Sequence, residues 1–135
     1  MKKLLALILI VLVIAGCSPK AAKLEHTAKE AIKLFEDKED FVLVLSVADC
    51  PACIAYRPTL EETLKSRKQA KVVLVDMYYN KEDLKDLVEN HIKQDIAATP
   101  TTFFIKNGVV DDFYVGDRPY TDFINTLKLK GYINE

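Results

Sequence analysis

Apolar residues along this chain fall into two patterns that predict its secondary structure. In some segments they recur every three or four positions between lysines and glutamates, which is the spacing of one face of an amphipathic helix. In others they form short, nearly unbroken runs rich in β-branched residues, as in strands that are buried on both faces. The predicted elements, in chain order, are helix 24–36, strand 41–47, helix 51–68, strand 71–76, helix 81–91, strands 101–106 and 109–115, and helix 119–130.

The order of these elements predicts an α/β fold with a central mixed sheet and helices on both faces. The strand–helix–strand unit over 41–76 predicts two parallel strands, because the helix carries the chain back before the second strand begins. Asn107-Gly108 is a strong signal for a tight hairpin, which adds an antiparallel pair at the C-terminal side. We expect a single domain over 24–135, which is long enough to enclose a hydrophobic core.

The N-terminal residues have the layout of a signal peptide rather than of a folded element. Met1-Lys2-Lys3 is positively charged, and the apolar run that follows ends at Ala15, short of the roughly 20 residues that a membrane-spanning helix needs. Ile14-Ala15-Gly16-Cys17 resembles the bacterial lipobox, which implies that 1–16 is removed and that Cys17 becomes a lipidated N-terminus. The residues 17–23 would then form a tether. The alternative is an uncleaved anchor with an incidental cysteine, and both alternatives predict an extracytoplasmic domain held at a membrane.

Composition and cysteine count narrow the classes of function. The chain has 19 basic and 20 acidic side chains, and it has no basic stripe beside aromatic residues, so a nucleic-acid partner is not expected. Of its three cysteines, two remain if Cys17 carries lipid, and both lie in Cys50-Pro51-Ala52-Cys53. A disulfide between such close residues closes too small a loop to stabilise much chain. A reactive role for this pair is therefore the better interpretation.

The position of the cysteine pair predicts how the two thiols divide their work. The motif directly follows a predicted buried strand, and Pro51 suits the first turn of the next helix, where its missing N–H costs nothing. The unpaired N–H groups and the dipole of that helix favour a thiolate at Cys50, whereas the carboxylate of Asp49 opposes it. Cys53 lies one turn further into the helix and is expected to be more buried. Cys50 is therefore the candidate nucleophile and Cys53 the candidate resolving thiol, with Asp49 and Pro51 tuning the site.

Several further motifs resemble those of the thioredoxin superfamily, over 24–135. They are the C-x-x-C pair at a strand-to-helix junction, Pro58 in the following helix, Ala98-Thr99-Pro100-Thr101, the strand and turn 103–108, and Val115-Gly116. The resemblance implies a thioredoxin fold, a cis peptide bond before Pro100, and a peptide substrate that hydrogen-bonds to the backbone at Thr99 and Pro100. It implies no bound cofactor. The chain departs from the family where Asp49 replaces a tryptophan and where Val44 replaces a buried aspartate.

The resemblance implies a lipid-anchored thiol–disulfide oxidoreductase outside the cytoplasm, on the cell membrane or on an outer membrane if the cell has one. Its partners would be exported proteins with thiols or disulfides, and a membrane or soluble redox partner. Asp49 and the tether favour the reductive direction slightly, and the oxidative direction stays open. One alternative is a non-catalytic thioredoxin-like accessory protein of a peptide or bacteriocin export system.

A third interpretation is a metallochaperone, since His26, His91 and the cysteine pair are metal-ligating residue types. The two histidines fall on separate predicted helices, so we expect no metal site.

Overall fold

The computed structural model describes residues 22–135. The predicted signal peptide 1–16, the predicted lipidation site Cys17 and most of the predicted tether lie outside these residues. Within 22–135 the helices and strands follow the predicted order. They are α1 (Ala28–Glu36), β1 (Phe41–Ser46), α2 (Pro51–Ser66), β2 (Val72–Asp76), α3 (Lys81–Asp86, continued by the π-helical turn Leu87–Ile92), β3 (Thr101–Lys106), β4 (Val109–Val115) and α4 (Tyr120–Leu129).

The four strands form one mixed sheet in the order β2-β1-β3-β4. β1 pairs in parallel with β2, with Val44 opposite Leu74, and it pairs antiparallel with β3. β3 and β4 form the predicted antiparallel hairpin, with a register shift between Phe104 and Ile105. The predicted mixed sheet with a parallel βαβ part is confirmed, and together with the helices around it the sheet makes a thioredoxin fold.

Every residue of β1 is buried, because the sheet carries a hydrophobic cluster on each face. The even-numbered residues of β1, such as Val42 and Val44, pack with side chains of α2 and α4. The odd-numbered residues, such as Phe41 and Leu43, pack with side chains of α1 and the α3 region. The uninterrupted apolar run that predicted this strand therefore reflects burial from both sides.

The first helix begins later than predicted, at Ala28 rather than at residue 24. The residues before it are extended along the outer edge of β2, where the Leu74 N–H donates to the Leu24 carbonyl at 2.9 Å and the His26 N–H donates to the Leu74 carbonyl at 2.8 Å. Thr27 then forms a capping box with Glu30, which starts the helix. Residues 24–26 stay extended because they hydrogen-bond to the backbone of Leu74 at the edge of β2. The prediction that His26 lies on a helix is therefore wrong.

The tight turn between β3 and β4 depends on its glycine. Asn107 and Gly108 both have positive φ, 50° and 69°, as the favoured two-residue hairpin turn requires. The Gly108 N–H donates to the Glu39 carbonyl at 3.1 Å, so the turn is packed against the end of α1. A Cβ atom at 108 would lie 3.0 Å from Lys38 Cα and would overlap the carbonyl oxygen of Phe35. Asn107-Gly108 therefore serves the hairpin and also the packing of α1.

None of the helices within 22–135 combines the length and the apolar character needed to cross a bilayer.

Candidate active site

The cysteine pair lies at the junction between β1 and α2, as predicted. Cys50 is the N-cap residue of α2, with extended backbone angles, and Pro51 occupies the first turn. The Cys53 backbone N–H donates to Cys50 Sγ at 3.2 Å, which is an N-cap interaction made by a sulfur atom. This N–H group and the helix dipole both stabilise negative charge on Cys50 Sγ when the pair is reduced.

Cys50 and Cys53 are joined by a disulfide bond, and the two residues differ in exposure. Cys50 is partly exposed, whereas Cys53 is only 5% exposed. An incoming thiol or disulfide therefore reaches Cys50 more easily than Cys53. This is the asymmetry predicted from the helix geometry.

A loop from the other side of the sheet brings Thr99 and Pro100 beside Cys50. The peptide bond between them is cis, which confirms the sequence prediction. The Thr99 carbonyl oxygen lies 3.4 Å from Cys50 Sγ, although the two residues are separated by 49 positions. The Gly116 N–H donates to the Pro100 carbonyl at 2.8 Å and holds this loop to the end of β4. Pro100 is buried and Thr99 is half-buried, so backbone atoms border the reactive sulfur.

Comparison with known proteins agrees with this geometry. The family model described as Thioredoxin matches residues 21–129. The chain belongs to the thioredoxin family. Among solved structures, a single-site mutant of thioredoxin from Halobacterium salinarum NRC-1 has a TM-score of 0.66 at 15% identity, covering 89% of this chain and 98% of that one. Thioredoxin from Fasciola hepatica has a TM-score of 0.63 at 24% identity, covering 79% and 98%. At these identities the structures support the fold alone.

One curated relative is similar in sequence as well. It is the "Disulfide bond formation protein" of Brevibacillus choshinensis, which is 34% identical over 80 residues. The match covers 58% of this chain and 64% of the relative, so the chain spans less than two thirds of that protein.

In this thioredoxin-family chain, position 44, where the family pattern has a buried aspartate, holds a valine. Val44 is fully buried in the cluster between the sheet and α2, and its parallel neighbour Leu74 is 5% exposed. Asp49, which precedes Cys50, is exposed in the loop before α2. The two departures from the family pattern therefore lie in different environments, one in the core and one at the surface.

Tyr56 is a core residue rather than part of an exposed groove. It is 1% exposed, and its hydroxyl hydrogen-bonds to the hydroxyl of Tyr114 on β4. The Thr102 hydroxyl donates to Tyr56 Oη at 3.4 Å, and the Arg118 guanidinium lies 3.7 Å above the Tyr114 ring. Burial, with the neighbouring Tyr114, raises the pKa of Tyr56 far above its ordinary value, so the hydroxyl stays neutral. Tyr56 therefore packs in the core between the sheet and the helices.

The two histidines lie apart and have separate partners. His26 Nε2 donates to the Lys23 carbonyl at 2.9 Å. The His91 ring packs against Phe35, with ring centroids 5.5 Å apart. Among residues 22–135, no group of three His, Cys, Asp or Glu side chains comes together in a way that could hold a metal ion.

A cavity of about 520 Å³ opens beside Cys53, and sequence reasoning did not find it. It lies on the side of the disulfide where the extended residues before α1 run along β2. Its walls include Glu25, His26, Ser46, Cys53, Arg57 and Asp76. The sequence positions of two polar residues could have indicated this cavity. Ser46 ends the apolar run of β1, and Asp76 ends that of β2. Their polar side chains follow two buried strands at the same edge of the sheet.

Proposed function

We propose that this chain is a thiol–disulfide oxidoreductase in which Cys50 exchanges with substrate and Cys53 resolves. The observation that carries this proposal is the unequal exposure of a disulfide placed at a helix N-terminus. Cys50 is partly exposed and receives the Cys53 N–H, whereas Cys53 is 5% exposed. A reduced Cys50 thiolate attacks one sulfur of a substrate disulfide and forms a mixed disulfide with it, while the substrate S–S bond breaks and the other sulfur leaves as a thiolate. The Cys53 thiolate then attacks Cys50 Sγ, which restores the internal disulfide and releases the substrate thiolate.

In this proposal Thr99 and Pro100 form the adjoining part of the substrate site. The Thr99 carbonyl lies 3.4 Å from Cys50 Sγ, and the cis bond turns the backbone beside the reactive sulfur. An extended peptide would pair with this backbone in the manner of an added strand, which recognises main chain more than sequence. Such recognition suits an enzyme that acts on many different proteins.

The proposed location is outside the cytoplasm, with a lipid on Cys17 holding the domain to a membrane. The apolar N-terminal run and the lipobox-like Ile14-Ala15-Gly16-Cys17 support it, and so does the name of the Brevibacillus relative, "Disulfide bond formation protein". Disulfides form and persist in such oxidising compartments. The substrates would then be exported proteins with thiols or disulfides, and a membrane or soluble redox partner would recycle the Cys50–Cys53 pair.

The activity is tested by reduction of insulin with dithiothreitol, using the full-length chain in detergent micelles. We expect the wild type to accelerate the reaction and Cys50→Ala to match the rate without protein. The Cys53→Ala chain should accumulate a mixed disulfide with the substrate, because its resolving thiol is missing. Cys17→Ser is the matched control, since it removes a cysteine but leaves both members of the pair. A wild-type rate equal to the blank would contradict the proposal and favour the non-catalytic accessory function.

The direction of exchange follows from the reduction potential of the pair. A reduction potential of about −270 mV is typical of a reductant, and one of about −120 mV is typical of an oxidant. We propose the reductive side, because the exposed carboxylate of Asp49 next to Cys50 opposes the thiolate on which a strong oxidant depends.

A further inference from the structure

The resolving step needs a proton acceptor for Cys53. The thiol of Cys53 must become a thiolate before it attacks the mixed disulfide, and its 5% exposure disfavours the charged form. On the face of the sheet that α2 covers, Val44 and Leu74 are apolar and buried, so neither can accept a proton. The acceptor must therefore be another group near Cys53.

The cavity beside Cys53 connects its thiol with polar side chains that could accept a proton. Its volume of about 520 Å³ is ample for several water molecules, and polar side chains line it. Ser46 and Asp76 are parallel partners at the ends of β1 and β2. Because side chains alternate along a strand, both lie on the same face of the sheet as Val44 and Leu74, and this is the face that α2 covers. Asp76 is thus a carboxylate on the face of the sheet that packs against the helix of Cys53.

Only one of the two carboxylate oxygens of Asp76 accepts hydrogen bonds from the protein. Oδ1 accepts the backbone N–H of Tyr78 at 2.8 Å and that of Tyr79 at 3.3 Å, which fixes the side chain at the turn after β2. Oδ2 makes no hydrogen bond to any of residues 22–135. A fixed carboxylate with an unused oxygen at the wall of a cavity is well suited to accept a proton.

The other charged groups at the cavity come from two elements and have partners. Lys23, Glu25 and His26 belong to the extended segment before α1, and Arg57 belongs to α2. Glu25 is paired with Arg57, and Lys23 with Glu30 at 3.3 Å. His26 Nε2 donates to a carbonyl, and its Nδ1 lies 3.6 Å from Glu30. These pairings leave Asp76 as the available base.

We propose that Asp76 accepts the proton of Cys53 through water in this cavity during the resolving step. The Cys53 S–H bond breaks, the proton moves by way of water to Asp76 Oδ2, and the thiolate forms a bond to Cys50 Sγ. The bond between Cys50 and the substrate sulfur breaks with its electron pair, and the substrate leaves as a thiolate. This inference rests on the proposed function, since it concerns the second half of that exchange.

The test follows the two halves of the exchange separately. The reduced full-length chain, with Cys17→Ser to remove the third thiol, is mixed in detergent micelles with 5,5′-dithiobis(2-nitrobenzoic acid) in a stopped-flow instrument. Attack by Cys50 releases the first nitrothiobenzoate and resolution by Cys53 releases the second. Asp76→Asn keeps an acceptor oxygen for the turn but removes the basic carboxylate. Glu25→Gln and His26→Gln are matched controls from the same cavity.

We expect Asp76→Asn to slow the second phase on the order of tenfold to a hundredfold and to leave the first phase unchanged, because direct general-base assistance contributes about 10²–10⁴-fold and a bridging water weakens it. The rate of the second phase should depend more steeply on pH in Asp76→Asn than in the wild type, because hydroxide must then take the proton that Asp76 accepts. Asp76→Glu should restore much of the wild-type rate, since it returns a carboxylate to this position.

An unchanged second phase in Asp76→Asn would overturn the inference, and so would an equal slowing in Glu25→Gln or His26→Gln. If the first phase slows as well, Asp76 acts on the fold of the site rather than on the proton, and the inference is also overturned. A wild-type chain that releases no second nitrothiobenzoate would instead refute the proposed exchange function itself.

Discussion

Replacing Gly108 by alanine should weaken the fold by two separable effects, and the chain offers a control for one of them. Gly108 has φ of +69°, and a Cβ atom there would lie 3.0 Å from Lys38 Cα, 3.3 Å from the Phe35 carbonyl carbon and in overlap with the Phe35 carbonyl oxygen. Gly131 has a similar φ of +74°, but a Cβ atom there would have no other atom within 4 Å. Both alanine variants share the strain of a positive φ, but only the Cβ atom at position 108 also clashes with backbone atoms of Phe35 and Lys38.

The magnitudes follow from these two terms. A left-handed conformation costs a residue with a Cβ atom about 1–2 kcal/mol, which applies to both variants. The overlap at 108 involves backbone atoms at the end of α1, so no side-chain rotation relieves it, and forcing extra atoms into a packed site costs about 1–3 kcal/mol more. The gain from a less flexible unfolded chain is nearly equal in the two variants and cancels in their difference. We therefore expect Gly108→Ala to lose about 1–3 kcal/mol more than Gly131→Ala.

Thermal unfolding of the two variants measures this difference. Each kcal/mol lowers Tm by roughly 4–8 °C in a domain near 100 residues, so the extra loss of stability is large enough to measure by circular dichroism. If Gly108→Ala and Gly131→Ala lower Tm equally, the close packing of the hairpin against α1 contributes nothing, and the reasoning is wrong.

Two further predictions concern pH and the N-terminus. The Asn107 N–H, 2.7 Å from Asp40 Oδ1, and the nearby Lys106 hold the pKa of Asp40 below its usual value of 3.8. Asp40 therefore stabilises the fold above pH 3.8, and this is lost as pH falls through the folded pKa. The advantage of the wild type over Asp40→Asn in chemical denaturation should shrink over that range, and a gap that persists in acid would contradict this. In bacteria fed labelled palmitate, Cys17→Ser should abolish labelling and release the chain from the membrane fraction, and retention of either would argue against the anchor.

The elements that depend on local spacing were predicted well. Unbroken apolar runs located β1 and β2 to within a residue or two, and Asn107-Gly108 located the turn between β3 and β4, because backbone sterics and burial act within a few positions. Pro51 in the first turn of α2 and Cys50 at its N-cap follow from the same local rules. The unequal exposure of the two cysteines was predictable too, since one helical turn separates them.

Two features of the helices were not predicted. The helical spacing of apolar residues extends back to Leu24, but hydrogen bonds to Leu74 hold that segment extended, and α1 begins only at Ala28. The π-helical turn Leu87–Ile92 has no signal in the periodicity that suggested one regular helix over 81–91. In the first segment, hydrogen bonds to the edge of the sheet outweighed a local preference, and the π-helical turn buries Leu87 and Ile92 in the core.

The sequence by itself determined the chemistry available to this protein: two thiols at the start of a helix, a proline loop and a hairpin. Only the tertiary structure decided which groups meet. It placed the Thr99 carbonyl 3.4 Å from Cys50 Sγ, paired the hydroxyls of Tyr56 and Tyr114, and opened a cavity that Cys53 and Asp76 both line. The reason is physical. Local conformation is set by neighbours along the chain, whereas strand order, and therefore what surrounds a buried thiol, is set by how all the apolar faces pack together.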